Sequence, residues 1–142
     1  MILRPATPAD APACAAIVRG WIEATDWMPG GPSRQELEAI MRQGFDPSSG
    51  REVWVAGEVP RGYLSFDPEV GRIVGLYTGQ PGHGIGKALM DRVKSGRRHL
   101  WLRSHQPNLA AHRFYEREGF VTTDRDLDGD DGVPEIRMEW SA

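Results

Sequence analysis

The hydrophobic positions near the start of the chain repeat at the spacing of an α-helix. Residues three, four and seven apart share one side of a helix, and here that side carries Cys14, Ile17, Val18, Trp21 and Ile22. The preceding segment Thr7-Pro8-Ala9-Asp10 supplies a capping threonine, a proline in the first turn and an acidic residue three positions after the cap. The pattern predicts an amphipathic helix that ends before Pro29.

Further along, short runs of β-forming residues alternate with more helical segments. Ser33-Arg34-Gln35-Glu36 is a capping box that opens a second helix, and Gly44 ends it. Two more helices are predicted over residues 84–95 and 108–118. The predicted strands cover residues 2–4, 52–56, 62–67, 72–78, 99–104, 120–124 and 135–140. Because a helix connects strands 72–78 and 99–104, we expect that pair to be parallel, within one α/β domain of residues 1–142 whose mixed sheet has helices on both faces.

Composition narrows the function classes. The chain has 142 residues, a formal net charge of −3 and one cysteine. The slight negative charge argues against a nucleic-acid partner. A single cysteine excludes an intramolecular disulfide, and Cys14 lies in an apolar helical pattern, where a thiol usually serves packing. The sequence begins with no signal-peptide pattern and has no apolar run of bilayer length, so we expect a cytoplasmic protein without a membrane partner.

A glycine-rich turn between a predicted strand and a predicted helix is the most informative segment. The turn reads Gly82-His83-Gly84-Ile85-Gly86-Lys87. Glycines permit a tight turn and close approach of an anion, and the first turn of a helix offers unpaired amide groups. Pro81 and Ala88 exclude the P-loop pattern, and Lys87 stands where the dinucleotide fingerprint needs glycine. The turn is therefore interpreted as a pyrophosphate site, with a purely structural glycine turn as the alternative.

Two motifs in order carry a family resemblance. Leu76-Tyr77-Thr78 followed by the glycine turn resembles the acetyl-CoA signature of the GNAT superfamily of N-acetyltransferases, although Pro81 stands where the family usually has glutamine or arginine. The segment from Asn108 through Ala111, Phe114-Tyr115-Glu116 and Gly119-Phe120 is similar to a second motif of that family. The resemblance implies a mostly antiparallel sheet of about seven strands and acetyl-CoA as cosubstrate. It implies cofactor contacts by Leu76, Tyr77, Thr78, Gly82, His83, Gly84, Ile85, Gly86, Lys87, Asn108 and Ala111.

Within those contacts the resemblance assigns particular roles. Main-chain atoms of Leu76 and Thr78 would contact pantetheine, and a backbone N–H at a Leu76–Tyr77 bulge would polarise the acetyl oxygen. Asn108, Ala111 and Tyr115 share one helical stripe, with Ala110 and Phe114 on a neighbouring stripe that can face the core.

The chemistry gives Tyr115 the role of general acid. Collapse of the tetrahedral intermediate expels a thiolate, which a well-placed phenol can protonate.

The general base and the acceptor pocket are left open. Strand residues 73–78 contain no acidic side chain, so Glu23, Asp26, Glu52, His105 or an ordered water chain are candidates. Trp27 and Met28 are equally consistent with an acceptor pocket and with the core, whereas Trp21 is interpreted as core.

An apparent calcium motif lies near the C-terminus. Residues 124–135 satisfy the EF-hand loop pattern, with acidic residues at the ligand positions and Gly129 at the turn. Asp131 stands where an apolar residue is needed, Pro134 precedes the last acid, and too few residues follow for a helix. We therefore interpret the segment as an acidic hairpin loop and predict no metal site.

The sequence thus predicts an N-acetyltransferase that transfers acetyl from acetyl-CoA to a primary amine, favouring a small molecule, by direct attack in a ternary complex. A non-catalytic acyl-CoA sensor and a calcium-dependent interaction module are the alternatives. The acceptor and the oligomeric state are left open, although an exposed final strand would allow a homodimer.

Overall fold

Seven strands form one sheet in the computed structural model, which describes all residues from 1 to 142. The strands are β1 (Leu3–Pro5), β2 (Glu52–Ala56), β3 (Gly62–Asp67), β4 (Arg72–Thr78), β5 (His99–His105), β6 (Val121–Leu127) and β7 (Glu135–Ser141). The helices are α1 (Ala11–Glu23), α2 (Arg34–Gly44), α3 (Ile85–Lys94) and α4 (Leu109–Arg117). The sheet order is β1-β2-β3-β4-β5-β7-β6, and only the β4–β5 pair is parallel. The predicted mixed, mostly antiparallel sheet is confirmed.

The predicted helix starts are present in the structure. The Thr7 amide donates to Asp10 Oδ2 at 2.8 Å, which closes a capping box around a 3₁₀ turn that leads into α1. At the start of α2 the Glu36 amide donates to Ser33 Oγ at 3.1 Å, and the Ser33 amide donates back to Glu36 Oε1 at 3.4 Å. These bonds satisfy amide groups that a helix leaves unpaired.

Two hydrophobic cores lie on opposite faces of the sheet. Helices α1 and α2 pack on one face, where Cys14, Val18 and Met41 meet Val55. Helices α3 and α4 pack on the other face, where the fully buried members include Leu89, Phe66, Leu102 and Met138. Each such side chain contributes about 1.5–3 kcal/mol on burial. Burial also raises the pKa of the Cys14 thiol to about 12, so this cysteine is an inert packing residue, as predicted.

The last strand is not at an edge. Strand β7 pairs with β5 on one side and β6 on the other, so the expectation of an exposed final strand is wrong. The edge strands are β1 and β6, because β6 lies at the end of the sheet and the last strand, β7, lies between β5 and β6. The acidic segment of residues 124–135 comprises the end of β6, the connection of residues 128–134 and the first residue of β7, with no flanking helix, which agrees with a hairpin rather than an EF-hand.

None of the four helices combines the length and the apolar character that crossing a membrane requires.

Candidate functional site

Strands β4 and β5 separate after a short stretch of pairing. Only Arg72 and Ile73 of β4 have partners on β5, namely Trp101 and Leu102. Beyond them the two parallel strands diverge, while β4 continues along β3 as far as Thr78. The divergence leaves a wedge-shaped opening in the middle of the sheet, bordered by the unpaired side of β4.

A bulge in β4 determines which backbone groups face that opening. Ser65 of β3 is paired with Gly75, and the next residue, Phe66, is paired with Ile73, so Val74 is the extra residue. The expected bulge at Leu76–Tyr77 is therefore two residues too late. The sequence did offer one signal for this position, because a glycine inside a strand, here Gly75, often marks a bulge.

The bulge turns the backbone groups of Leu76 and Thr78 toward the opening. The Gly79 amide donates to the Arg61 carbonyl at 2.9 Å. Because bonded and non-bonded pairs alternate along antiparallel strands, Tyr77 and Gly75 also direct their N–H and C=O groups to β3. The N–H and C=O groups of Leu76 and Thr78 therefore point to the opposite side of β4. Strand β5 no longer pairs with β4 there, so another extended chain can form hydrogen bonds with these groups.

The glycine turn presents a row of unpaired amide groups. The N–H groups of Gln80 and of residues 82–87 donate no hydrogen bond within the chain. Gly82 and Gly84 have φ angles of +86° and +71°, which L side chains rarely adopt, and their Cβ positions meet open space. Gly84 is the N-cap of α3. A left-handed turn followed by a helix N-terminus is an arrangement that binds phosphate groups.

Three further predicted residues of the turn differ in what they contact. A Cβ on Gly86 would lie 3.3 Å from Phe114 Cζ, so this glycine permits close packing of α3 on α4. The Ile85 side chain is buried in the core. The Lys87 ammonium lies 3.4 Å from Asp91 Oδ1 and 3.6 Å from Glu118 Oε2, and these carboxylates raise its pKa. Lys87 thus offers its amide to the turn, while its ammonium group pairs with carboxylates on α3 and at the end of α4. The His83 side chain is exposed.

Helix α4 begins beside the opening. Asn108 caps it, since the Ala111 amide donates to Asn108 Oδ1 at 3.2 Å. Ala111 and Phe114 are partly buried against the core beneath α3 and α4. Ala110 is exposed, so the interpretation of this alanine as core-facing is wrong. His112, two residues later on a different side of α4, is buried, and its Nε2 lies 3.0 Å from the His105 carbonyl oxygen.

Tyr115 is enclosed except at its hydroxyl. The side chain is 9% exposed and packs on Phe114 and Phe120. The Tyr115 hydroxyl makes no hydrogen bond within the chain. It is not one of the enclosed polar atoms without a hydrogen bond, which are Nε of Arg72 and Nε of Arg103, so it is accessible to solvent. Burial, with a smaller effect of nearby Tyr77, raises the pKa of Tyr115, and the phenol remains protonated.

Four partly exposed aromatic side chains, Trp21, Trp27, Tyr77 and His105, cluster on the opposite face of the sheet, where α1 and α2 pack, and we call the surface that they form the aromatic recess. Trp21 meets Trp27 at 5.7 Å and Tyr77 at 5.5 Å between ring centroids, both edge to face. The His105 ring lies 5.9 Å from Trp21 and 5.3 Å from Trp27. Trp21 packs against the core of this face, as predicted, and because it is only partly buried it also forms part of the recess.

The structure separates the candidate bases. His105 ends β5 inside the recess, and its Nε2 lies 2.7 Å from Asp131 Oδ2. Glu52 receives hydrogen bonds from Arg97 and Trp54, away from the recess, and Glu23 pairs with Arg19. Asp26 is exposed. Sequence reasoning missed Asp131 as a partner of His105, since 26 residues separate them and only the hairpin brings them together.

A groove of about 670 Å³ adjoins the same strand on the α2 side. Phe45, Met41 and Tyr63 line it together with Gly75 and Tyr77 of β4. Tyr77 stacks on Tyr63 at 5.9 Å and so separates this groove from the aromatic recess. Trp27, a predicted candidate for the acceptor pocket, does not line this groove and belongs to the recess.

Comparisons with known proteins agree with this geometry. Residues 49–122, which contain the diverging strands, the glycine turn and α4, match the model of the acetyltransferase (GNAT) domain. The peptidyl-lysine N-acetyltransferase YiaC of Escherichia coli (strain K12) is 29% identical over 133 residues, with 88% of each chain covered.

Solved structures share the fold over nearly the whole chain. YjaB from Escherichia coli superposes with a TM-score of 0.77 at 23% identity, covering 99% of this chain and 98% of that one. The ribosomal-protein-alanine N-acetyltransferase from Brucella melitensis gives 0.74 at 20% identity over both entire chains. The structure of yncA from Salmonella typhimurium, which contains its cofactor acetyl-CoA, gives 0.69 at 21% identity, with 99% and 92% covered. This chain belongs to the GNAT family of acetyltransferases, which use acetyl-CoA as cosubstrate.

Proposed function

We propose that this acetyltransferase transfers the acetyl group of acetyl-CoA to the nitrogen of a primary amine, by direct attack while both substrates are bound. The observation that carries the proposal is the opening between β4 and β5, with unpaired backbone groups of Leu76 and Thr78 on one side and the unpaired amides of the glycine turn beside it. An extended, amide-containing arm that ends in linked phosphates has the chemistry to satisfy both sets.

Each site residue has a proposed part in binding. Leu76 and Thr78 pair with the pantetheine arm through main-chain atoms, as an added strand would. Residues 82–87 hold the pyrophosphate through amide groups, with His83 as an exposed side chain near it. Asn108 fixes the start of α4, and Ala111 is small enough to admit the cofactor beside that helix. Tyr77 forms the wall between the cofactor strand and the acceptor side.

The proposed chemistry divides between the backbone and Tyr115. Acetyl-CoA supplies an acyl group activated as a thioester. The amide of Leu76 faces the opening and is suited to donate to the carbonyl oxygen as negative charge develops on it. Tyr115 keeps its proton because burial raises its pKa, and it donates that proton to the departing sulfur.

The acceptor is a small-molecule amine in the first form of the proposal. A lysine side chain within a polypeptide is the second candidate, supported by the peptidyl-lysine activity in the name of the relative YiaC and by the position of the recess at the protein surface. Lysine amide, a polyamine and a lysine-containing peptide with a blocked N-terminus distinguish the two forms, because only the last presents an ε-amine on a polypeptide.

Calorimetry with acetyl-CoA, followed by thiol release in the presence of an amine panel, tests the proposal. We expect saturable binding, amine-dependent thiol release, and a product heavier by one acetyl group on nitrogen. Binding without release on any amine would instead support the acyl-CoA sensor. Absence of binding would remove the cofactor assignment for this chain.

A further inference from the structure

The His105–Asp131 pair has the geometry of an oriented base. Asp131 Oδ2 lies 2.7 Å from His105 Nε2, and a carboxylate accepts a hydrogen bond there only when Nε2 carries the proton. The lone pair then resides on Nδ1, which has no hydrogen-bond partner and is not enclosed. With side chains 19% and 29% exposed, His105 and Asp131 are reachable from solvent.

Asp131 is fixed as a carboxylate. Partial burial opposes its ionisation, but hydrogen bonds from the Val133 amide at 3.0 Å and from His105 outweigh that effect and lower the pKa of Asp131. The negative charge can therefore stabilise an imidazolium on His105, as the carboxylate does in a Ser-His-Asp triad.

The recess around His105 suits a positively charged amine. The rings of Trp21 and Trp27 lie against the imidazole, and Tyr77 packs on the edge of Trp21. Aromatic faces attract ammonium groups by about 0.5–2 kcal/mol. Tyr77 is partly buried, and its pKa is raised, first by burial and then by the charges of Asp131 and Glu135, so it remains a neutral phenol. The recess thus combines aromatic walls with net negative charge.

We propose that His105, oriented by Asp131, is the catalytic proton acceptor for the amine, which enters through the recess of Trp21, Trp27 and Tyr77. This proposal rests on the N-acetyltransferase function proposed above. Successive side chains of a strand alternate between faces, and buried Leu100 and Leu102 belong to the core under α3 and α4, so His105 faces the other side. Base and acid then act from opposite faces of the opening.

The protons and bonds balance without another reactant. His105 Nδ1 takes the proton whose loss frees the nitrogen lone pair, the C–N bond forms, and the C–S bond breaks as Tyr115 gives its proton to sulfur. After the C–N bond has formed, the nitrogen loses a second proton to solvent, and solvent returns a proton to the Tyr115 oxygen. His105 then releases its proton to water.

The other charged groups near His105 have different partners. Glu135, opposite His105 on β7, lies 2.7 Å from Arg103 Nε through Oε1, an ion pair whose angle is too poor for a hydrogen bond. His112 contacts only the backbone oxygen of His105. Ligand atoms of His105, Asp131 and Glu135 lie within 4.8 Å of one another, so a bound divalent metal is the competing role for the same side chains.

Two variants and a matched control test the base. His105→Gln is expected to lower kcat at neutral pH by about 10²–10⁴-fold while leaving acetyl-CoA affinity unchanged, and to remove the acid limb of the kcat/KM–pH profile, because an imidazole loses its basic form as pH falls. Added imidazole should partly restore His105→Ala. His99→Gln, which alters a histidine 3.1 Å from Glu139 at the opposite end of β5, should leave rate and profile unchanged.

Three outcomes would overturn the proposal. An acid limb that persists unchanged in His105→Gln assigns the proton to another group, and a loss of acetyl-CoA affinity in that variant indicates a structural role. Activity abolished by a chelator and restored by zinc assigns the cluster to a metal. If the wild-type protein acetylates no amine, the proposed N-acetyltransferase function is wrong, and the proposed role of His105 as its base is rejected with it.

Discussion

At the scale of single residues, the hydroxyl of Tyr115 makes no hydrogen bond within the chain although its ring is buried. Tyr115→Phe should therefore leave the fold and the affinity for acetyl-CoA nearly unchanged. We expect kcat to fall by on the order of 10²-fold, because a positioned proton donor contributes about that much or more. Steady-state thiol release, with calorimetry and a melting curve on the same sample, measures all three quantities. Undiminished kcat in the variant would exclude Tyr115 as the acid.

The pH dependence of the rate of Tyr115→Phe is a second test of the role of Tyr115. Burial raises the pKa of Tyr115, so the phenol stays neutral at mildly alkaline pH. Removing the hydroxyl should lower the rate by a similar factor at every pH from 6 to about 9. A change confined to the alkaline limb would mean that Tyr115 titrates during turnover.

At the scale of elements, the two ends of α3 offer a matched pair of glycines. Gly84 at its N-terminus and Gly96 after its C-terminus have φ angles of +71° and +78°, and a Cβ at either would meet open space. Alanine at either position should cost about 1–2 kcal/mol, since left-handed backbone is strained for L residues. Gly84→Ala should also weaken acetyl-CoA binding about tenfold, whereas Gly96→Ala should not, which calorimetry and urea unfolding together would establish. Equal affinities would separate the glycine turn from the cofactor.

The junction between β1 and α1 depends on one buried carboxylate. Arg4 donates to both oxygens of Asp10 at 2.8 and 2.9 Å, and the Thr7 amide adds a third bond. Hydrogen bonding from Arg4, against a smaller effect of burial, lowers the pKa of Asp10. The resulting stabilisation is complete above the unfolded pKa of about 3.9 and is lost as pH falls through the lower folded value.

Asp10→Asn should accordingly reduce the free energy of unfolding by about 1–3 kcal/mol at neutral pH. The difference from wild type should shrink as pH is lowered from 5 toward 2, because the wild-type carboxylate becomes protonated. Urea titrations at several pH values measure both effects, with Asp91→Asn on the exposed face of α3 as control. A difference that is constant with pH would mean that the charge of Asp10 is not what stabilises the junction.

At the scale of the whole molecule, local signals in the sequence were sufficient for most of the architecture. Capping residues, helical periodicity and the helix between β4 and β5 predicted the elements and the parallel pair, which the structure has. The position of β7 between β5 and β6 was not predictable in that way, because strand order in a sheet depends on long-range pairing rather than on local pattern.

The candidate site shows the same division. The glycine turn and the cap of α4 are local in sequence and were identified there. The Val74 bulge, the exposure of Ala110, and the pairing of His105 with Asp131 depend on register and on contacts across β5, α4 and the hairpin. Sequence reasoning could name His105 among four candidate bases, but only the hairpin places a carboxylate on its Nε2.

Ligand-induced stabilisation of the intact protein distinguishes the function classes at this scale. Coenzyme A at about 100 times its dissociation constant should add about 2.7 kcal/mol to the free energy of unfolding and raise the melting temperature by several degrees. Calcium at the same concentration should not, because the acidic hairpin has no flanking helices and two of its carboxylates contact protein groups, Asp126 with Gln106 and Glu135 with Arg103. The measurement is a melting curve with each ligand, magnesium serving as the ionic control. A shift with calcium alone would reverse the assignment, since the hairpin would then be the ligand site and the opening between β4 and β5 would have none.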